Sequence, residues 1–119
     1  MRLATICSFL LLAAFTRVEA HAFLDHAEPA VGSRVTTAPS AIKLWFSEKL
    51  EPALSKVQVF TGDGKLVGKQ TQKPGADAAL AIVSVPPLKP GIYKVVWKAV
   101  SVDTHVTKGD FSFEVVPTK

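Results

Sequence analysis

The sequence predicts an all-β fold, a seven-stranded antiparallel β-sandwich formed by a single domain. Short runs of β-branched and aromatic residues alternate with polar residues at a period of two. Residues typical of turns, mainly Gly, Pro, Ser and Asp, separate these runs at short intervals, and no helical period appears between them. Seven short strands in about 100 residues are typical of an immunoglobulin-like sandwich.

The alternation also places each strand. Phe111 and Phe113 share one face of the last strand, which predicts that this face packs against the opposite sheet. The pair Asp63-Gly64 predicts a tight hairpin turn, whereas the segment 29–39, rich in Gly, Ser and Pro, is expected to be a loop. We expect strands at 22–27, 41–46, 55–61, 65–70, 79–85, 92–100 and 110–116.

The first twenty residues have the pattern of a secretory signal peptide. A basic residue precedes the apolar run, and the small residues Val18 and Ala20 lie three and one positions before the expected cut. The apolar run of roughly 13 residues is shorter than the 20 or so that a membrane-spanning helix needs, so cleavage is favoured over retention as an anchor. We therefore expect a signal peptide at 1–20 and an exported, periplasmic domain at 21–119 that begins with His21.

Composition narrows the function further. The chain has a formal net charge of +4, and its lysines are scattered without an aromatic-interleaved run, which argues against nucleic acid as a partner. Cys7 and Met1 are the only cysteine and methionine, and both lie in the predicted signal peptide. The exported domain then has no disulfide and no sulfur ligand for a metal. We expect Trp45, Tyr93 and Trp97 in its core, because aromatic side chains dominate burial in small sandwiches.

The candidate metal donors converge at one end of the predicted sandwich. If the strands alternate in direction, the N-terminus, the second connection and the last connection share an end, which carries His21, Glu48, Asp103 and His105. Asp103 and His105 are two residues apart and can face the same ion. A freed N-terminal histidine adds a chelate of its amine and imidazole Nδ1. His26 would lie about 16 Å along an extended strand from His21, so we expect it to have a structural or surface role.

This donor set predicts a site for one Cu(II) ion. It offers one amine, two imidazoles and one or two carboxylates, and nitrogen and oxygen sites of this kind favour Cu(II), whereas Cu(I) prefers sulfur. Zn(II) could accept the same donors in a tetrahedron and remains an alternative. Glu48 is either an axial or supporting carboxylate or a solvated loop acid. Free imidazoles and α-amines have pKa values of about 6.5 and 8, so copper affinity should fall below roughly pH 6.

Several motifs follow one another along the whole expected domain. They are His-Ala-Phe-Leu at 21–24, Pro-Ala-Val-Gly at 29–32, Leu-Trp-Phe-Ser-Glu at 44–48, Pro-Gly-Ile-Tyr-Lys-Val-Val-Trp at 90–97 and Ser-Val-Asp-Thr-His at 101–105. In this order they resemble the CopC-type periplasmic copper-binding (copper resistance) proteins. The resemblance implies a Greek-key β-sandwich and a Cu(II) site formed by His21, Asp103, His105 and, in some members, Glu48.

The resemblance also implies a partner. The family often works beside an inner-membrane copper transporter of CopD type, and we expect the protein itself to be a monomer. Some members carry a Met- and His-rich loop that holds Cu(I) at the opposite end of the sandwich. This chain lacks that loop, so it resembles a member that binds Cu(II) alone.

Three functions remain open on the sequence. The first is a copper carrier or buffer, the second a copper-dependent oxidative enzyme with an N-terminal histidine, and the third a metal-free interaction sandwich. A domain of this size leaves little room for a flat, aromatic substrate face, and Asp103 would occupy a position that oxygen needs. The sequence therefore favours a binding protein over an enzyme.

Overall fold

The computed structural model describes residues 22–69 and 78–117, which form eight strands in two facing sheets. The smaller sheet has the order β1-β3-β6, and the larger sheet has the order β2-β8-β7-β4-β5. No helix in the described ranges is long and apolar enough to cross a membrane. The strands are β1 (Leu24–Glu28), β2 (Arg34–Val35), β3 (Ala41–Phe46), β4 (Lys56–Thr61), β5 (Leu66–Lys69), β6 (Leu80–Ser84), β7 (Gly91–Val100) and β8 (Val106–Val115).

The two-layer all-β architecture confirms the predicted fold class, but the predicted number of strands was wrong. The additional strand is β2, which lies within the segment 29–39 expected as a loop and pairs in parallel with β8. A strand of two residues is too short to show alternation, and its Gly- and Pro-rich flanks conceal it. β8 also begins at Val106 rather than near 110, because it pairs with every residue of β7. The predicted signal peptide, 1–20, lies outside the described residues.

The core lies between the sheets and follows the predicted alternation. On β3 the side chains of Ile42, Leu44 and Phe46 are buried, and on β8 those of Phe111 and Phe113 are buried. β3 belongs to the smaller sheet and β4 to the larger, and the chain crosses again between β6 and β7. The chain therefore passes repeatedly from one sheet to the other, a connectivity found in sandwiches with Greek-key connections.

Trp97 fills the core near the end of the sandwich that carries the β7–β8 loop. Its ring meets the ring of Phe46 edge-on, with centroids 5.3 Å apart and an interplanar angle of 70°. Its cross-strand partner is Gly109. A Cβ at position 109 would lie 2.4 Å from Cζ2 of Trp97. The indole therefore packs directly over the β8 backbone, and only glycine leaves room for it there.

The other aromatic residues divide between core and surface. Tyr93 is buried like Trp97, and its hydroxyl donates a hydrogen bond of 2.6 Å to the carbonyl of Lys89, closing the β6–β7 connection as a tyrosine corner. The core prediction is wrong for Trp45, which is only half-buried. It alternates with the buried positions of β3 and so lies on the outer face, where it stacks on His26 with ring centroids 4.3 Å apart.

Candidate metal centre

Three segments meet at the end of the sandwich where the sequence places the candidate donors. The amide of Phe23 donates to Oγ of Ser47 (2.9 Å), and the amide of Ser47 donates to the carbonyl of Phe23 (2.8 Å). The amide of Val102 donates to the carbonyl of Lys49 (3.2 Å). These bonds tie the β3–β4 connection to the start of the described chain on one side and to the β7–β8 loop on the other. The predicted convergence of these segments is confirmed.

Ala22 is fixed at the same end. Its carbonyl accepts a hydrogen bond of 2.5 Å from Oγ1 of Thr107, and the residue is fully buried. Thr107 lies only two positions after His105 in the chain. His21, the first predicted ligand, immediately precedes Ala22 and lies outside the described residues.

The β7–β8 loop sets the positions of the other two predicted ligands. The amide of Ser101 donates to the carbonyl of His105 (3.0 Å), and the amide of Thr104 donates to the carbonyl of Ser101 (2.8 Å). Thr104 has a φ of +71°, a left-handed conformation that β-branched residues rarely adopt. The bond between Ser101 and His105 closes a three-residue loop, 102–104, and hairpin loops of this length commonly end in a left-handed residue. Asp103 and His105 flank this left-handed residue.

Asp103 and His105 contact each other directly. Nδ1 of His105 lies 3.0 Å from Oδ2 of Asp103, and the Ser101 hydroxyl donates a hydrogen bond to Oδ1. The hydrogen bond from Ser101, followed by the one from His105, lowers the pKa of Asp103 below its ordinary value. With its Nδ1 proton shared with Asp103, the imidazole of His105 would offer Nε2 as the metal donor. Carboxylates commonly orient metal-binding histidines in this way.

This pair can be reached from solvent. The side chains of His105 and Asp103 are 41% and 42% exposed, respectively, so an ion could approach both without any movement of the core. Glu48 is also exposed, in the β3–β4 connection. In the described ranges, however, no three His, Cys, Asp or Glu side chains lie close enough together to hold a metal ion. The structure therefore brings Asp103 and His105 together and does not group Glu48 with them.

The remaining histidine lies elsewhere. His26 is on the outer face of the smaller sheet, where its Nδ1 is 2.8 Å from Oδ2 of Asp25 and its ring stacks on Trp45. This position is consistent with the structural or surface role expected for it.

Sequence reasoning missed two supporting residues. Ser101 is buried and bonds to the Asp103 carboxylate, and Thr107 fixes the carbonyl of Ala22. Both residues carry a hydroxyl group. Ser101 lies two positions before Asp103, and Thr107 lies two positions after His105. Residues two apart in an extended chain point to the same side. That spacing is the signal that could have identified them.

Comparison with known proteins identifies the family. The family model described as the CopC domain matches residues 24–116, a range that includes Asp103 and His105. The chain belongs to the CopC family. The family predicted from the order of the motifs is thus confirmed.

Individual CopC relatives cover most of the chain. Protein YobA of Escherichia coli K12 is 41% identical over 105 residues, covering 82% of this chain and 81% of that protein. The crystal structure of CopC from Methylosinus trichosporium OB3b superposes with a TM-score of 0.77 at 30% identity, covering 83% and 97% of the two chains. PcoC, a methionine-rich copper resistance protein from Escherichia coli, superposes with a TM-score of 0.72 at 35% identity, covering 81% and 99%.

Proposed function

We propose that this CopC-family chain is a periplasmic Cu(II)-binding protein that acts in copper resistance or homeostasis as a carrier or buffer. The observation that carries the proposal is the Asp103–His105 pair, held in a hydrogen-bonded loop that ends two residues before Thr107, the residue bonded to Ala22. The similarity of the chain to PcoC, a copper resistance protein, supports copper as the bound metal.

In this proposal His21 supplies two of the donors. Removal of 1–20 would free its α-amine, which can chelate one ion together with the imidazole of the same residue. The carbonyl of Ala22 accepts a hydrogen bond from Thr107. Since consecutive Cα atoms are about 3.8 Å apart, the covalent bond to Ala22 alone keeps the Cα of His21 close to this anchored residue. The signal cut therefore completes a donor set whose other half, the Asp103–His105 pair, is already assembled.

His105 and Asp103 have different parts in the proposed site. The imidazole of His105 would bind through Nε2, because Nδ1 is engaged by Asp103. Each carboxylate oxygen of Asp103 accepts one hydrogen bond, from Ser101 or from His105. While it holds Nδ1, the Asp103 carboxylate lies on the opposite side of the imidazole from an ion on Nε2, so in this arrangement Asp103 orients His105. To contribute an oxygen donor to the same ion, as the proposed ligand set requires, the carboxylate would leave Nδ1 when copper binds. Glu48, which the structure does not group with this pair, would have to approach from the β3–β4 connection to add a supporting carboxylate.

The oxidation state follows from the donor chemistry. Nitrogen and oxygen donors favour Cu(II), whereas Cu(I) prefers thiolates and thioethers. PcoC is described as methionine-rich, but the only methionine of this chain is Met1, within the predicted signal peptide. We therefore propose one Cu(II) site and no Cu(I) site. Delivery to an inner-membrane transporter of CopD type, by a monomeric protein, is part of the same proposal.

Copper titration of two matched histidine variants tests the site. His105→Ala should abolish the visible d–d band that one equivalent of Cu(II) produces, because it removes a nitrogen donor. His26→Ala is the control, since it removes an exposed histidine that also contacts an aspartate but lies on the outer face of the smaller sheet. An equal loss of the band in both variants, or in neither, would contradict the proposed ligand set.

A separate assay tests the non-enzymatic role. The copper-loaded protein with a reductant and peroxide should not oxidise polysaccharide substrates. Turnover that disappears in His105→Ala would instead establish the oxidative enzyme.

A further inference from the structure

Three lysines are aligned on the outer face of the larger sheet. The strand register pairs Lys56 of β4 with Lys98 of β7, and Lys98 with Lys108 of β8. All three are exposed. Because neighbouring strands lie about 4.8 Å apart, the backbone positions of this lysine row span roughly 10 Å, although the three residues belong to three different strands.

Among the outward-facing residues in register with the lysine row or next to it, only Asp110 carries a negative charge. None of the three lysines forms an ion pair in the described ranges. The nearest acid on the same face is Asp110, one row further along the sheet, where it pairs in register with Val96. Like charges on directly opposite residues of paired strands are destabilising, so the fold tolerates a local cost at this position.

The lysine row borders a shallow groove on the outer face of the larger sheet. The groove has a volume of about 330 Å³, and its lining includes the three lysines together with Gln58, Val96 and the acidic Asp110. From the pair Lys98–Lys108 the strands continue for only two residues before the β7–β8 loop, a distance of about 7 Å. The groove itself extends from the lysine row away from that loop, to the row of Gln58, Val96 and Asp110, so a bound molecule would reach the loop only by extending past the lysines.

We propose that the lysine row is the docking surface for a partner protein that presents a cluster of acidic side chains. A protein segment can place discrete carboxylates opposite the three lysines and an uncharged group opposite Asp110, which lines the same groove. A continuous anionic surface, such as a lipid bilayer, would meet the Asp110 carboxylate one row away. The concave groove likewise fits a protruding acidic segment better than a flat membrane.

Such a surface would act chiefly on the rate and orientation of association. Complementary charges steer encounters and fix how two proteins meet. Docking itself depends on the lysines alone and needs no metal. Only its use in copper transfer, with the partner held beside the β7–β8 loop, rests on the proposed function.

A peptide titration of the complete exported chain without copper tests the docking surface. Hexaglutamate at low ionic strength should shift the backbone amide NMR signals around Lys56, Lys98 and Lys108. Lys98→Glu should weaken this binding at least about tenfold, because it reverses the central charge of the row. Lys89→Glu makes the same change of net charge in the β6–β7 connection, at the opposite end of the sheet, and should leave the affinity within about twofold of wild type.

Folding does not confound the comparison. Lys98→Glu places an acid between two lysines, so the variant should unfold at a temperature equal to or above that of the wild type. Equal weakening by the two variants, or no binding of hexaglutamate by the wild type, would overturn the proposal. Binding to vesicles of anionic phospholipid without binding of the peptide would overturn it in favour of a membrane surface.

The proposed copper site and the proposed docking surface can be refuted independently. Lys98→Glu should keep the Cu(II) stoichiometry of the wild type, since no lysine belongs to the proposed ligand set. If the chain bound no copper but still bound hexaglutamate through the lysine row, the proposed function would fail and the docking surface would stand.

Discussion

Replacing Gly109 by alanine should destabilise the fold strongly for the addition of one methyl group. The new Cβ would lie 2.4 Å from Cζ2 and 2.7 Å from Cε2 of Trp97, so either the indole or β8 must move by about 1 Å to reach contact distance. The indole cannot move freely, because Phe46 lies against it. Overpacking of this kind costs about 1–3 kcal/mol, and we expect a value of about 2–3 kcal/mol here.

Chemical and thermal denaturation of the wild type, Gly109→Ala, Trp97→Phe and the double variant measure this cost. For a domain of this size, a loss of about 2 kcal/mol lowers the melting temperature by roughly 8–16 °C. Trp97→Phe removes the overlapping atoms, so Gly109→Ala should cost much less in that background, with a coupling of at least about 1 kcal/mol. A cost below about 0.5 kcal/mol in the wild type, or the same cost in both backgrounds, would refute the packing argument.

Three further predictions concern the loops and the site. Tyr93→Phe should lower the free energy of unfolding by about 1–1.5 kcal/mol, because it removes the bond to the Lys89 carbonyl, and urea denaturation would measure the loss. Thr104→Gly should raise stability by about 1 kcal/mol by relieving the left-handed conformation, and a lower melting temperature would contradict this. Copper affinity should fall between pH 7 and pH 5 with the same slope in the wild type and Asp103→Asn. The lowered pKa of Asp103 keeps its carboxylate charged there, so its own contribution is lost only as the pH falls through that lowered value. If copper affinity depended less steeply on pH in Asp103→Asn than in the wild type, the proton that competes with copper would belong to Asp103, against this prediction.

Alternation along the chain predicts much of the fold. The buried positions of β3 and β8 repeat every second residue, so the residue pattern alone identifies these strands and their inward faces. The same rule assigns Trp45 to the outer face, whereas the general tendency of aromatic side chains toward burial predicts the core, and alternation decides the outcome. Alternation carries no information about β2, whose two residues pair through their backbone with β8.

Register and hydrogen bonding explain what the sequence did not predict. The lysine row exists because β4, β7 and β8 align at one level, and no local pattern encodes that alignment. The Asp-x-His motif identified Asp103 and His105 because their spacing is local. The contribution of Thr107 depends on a contact with Ala22, which precedes β1 and is distant in sequence.

The most direct test of the central claim compares two N-termini. Mass spectrometry first establishes whether the exported chain begins at His21, and copper titration then compares that chain with a variant carrying one additional alanine before His21. We predict that the authentic chain binds one Cu(II) tightly and that the extended chain loses most of this affinity, because its histidine no longer has a free α-amine. Equal affinity of the two chains would contradict the proposed site.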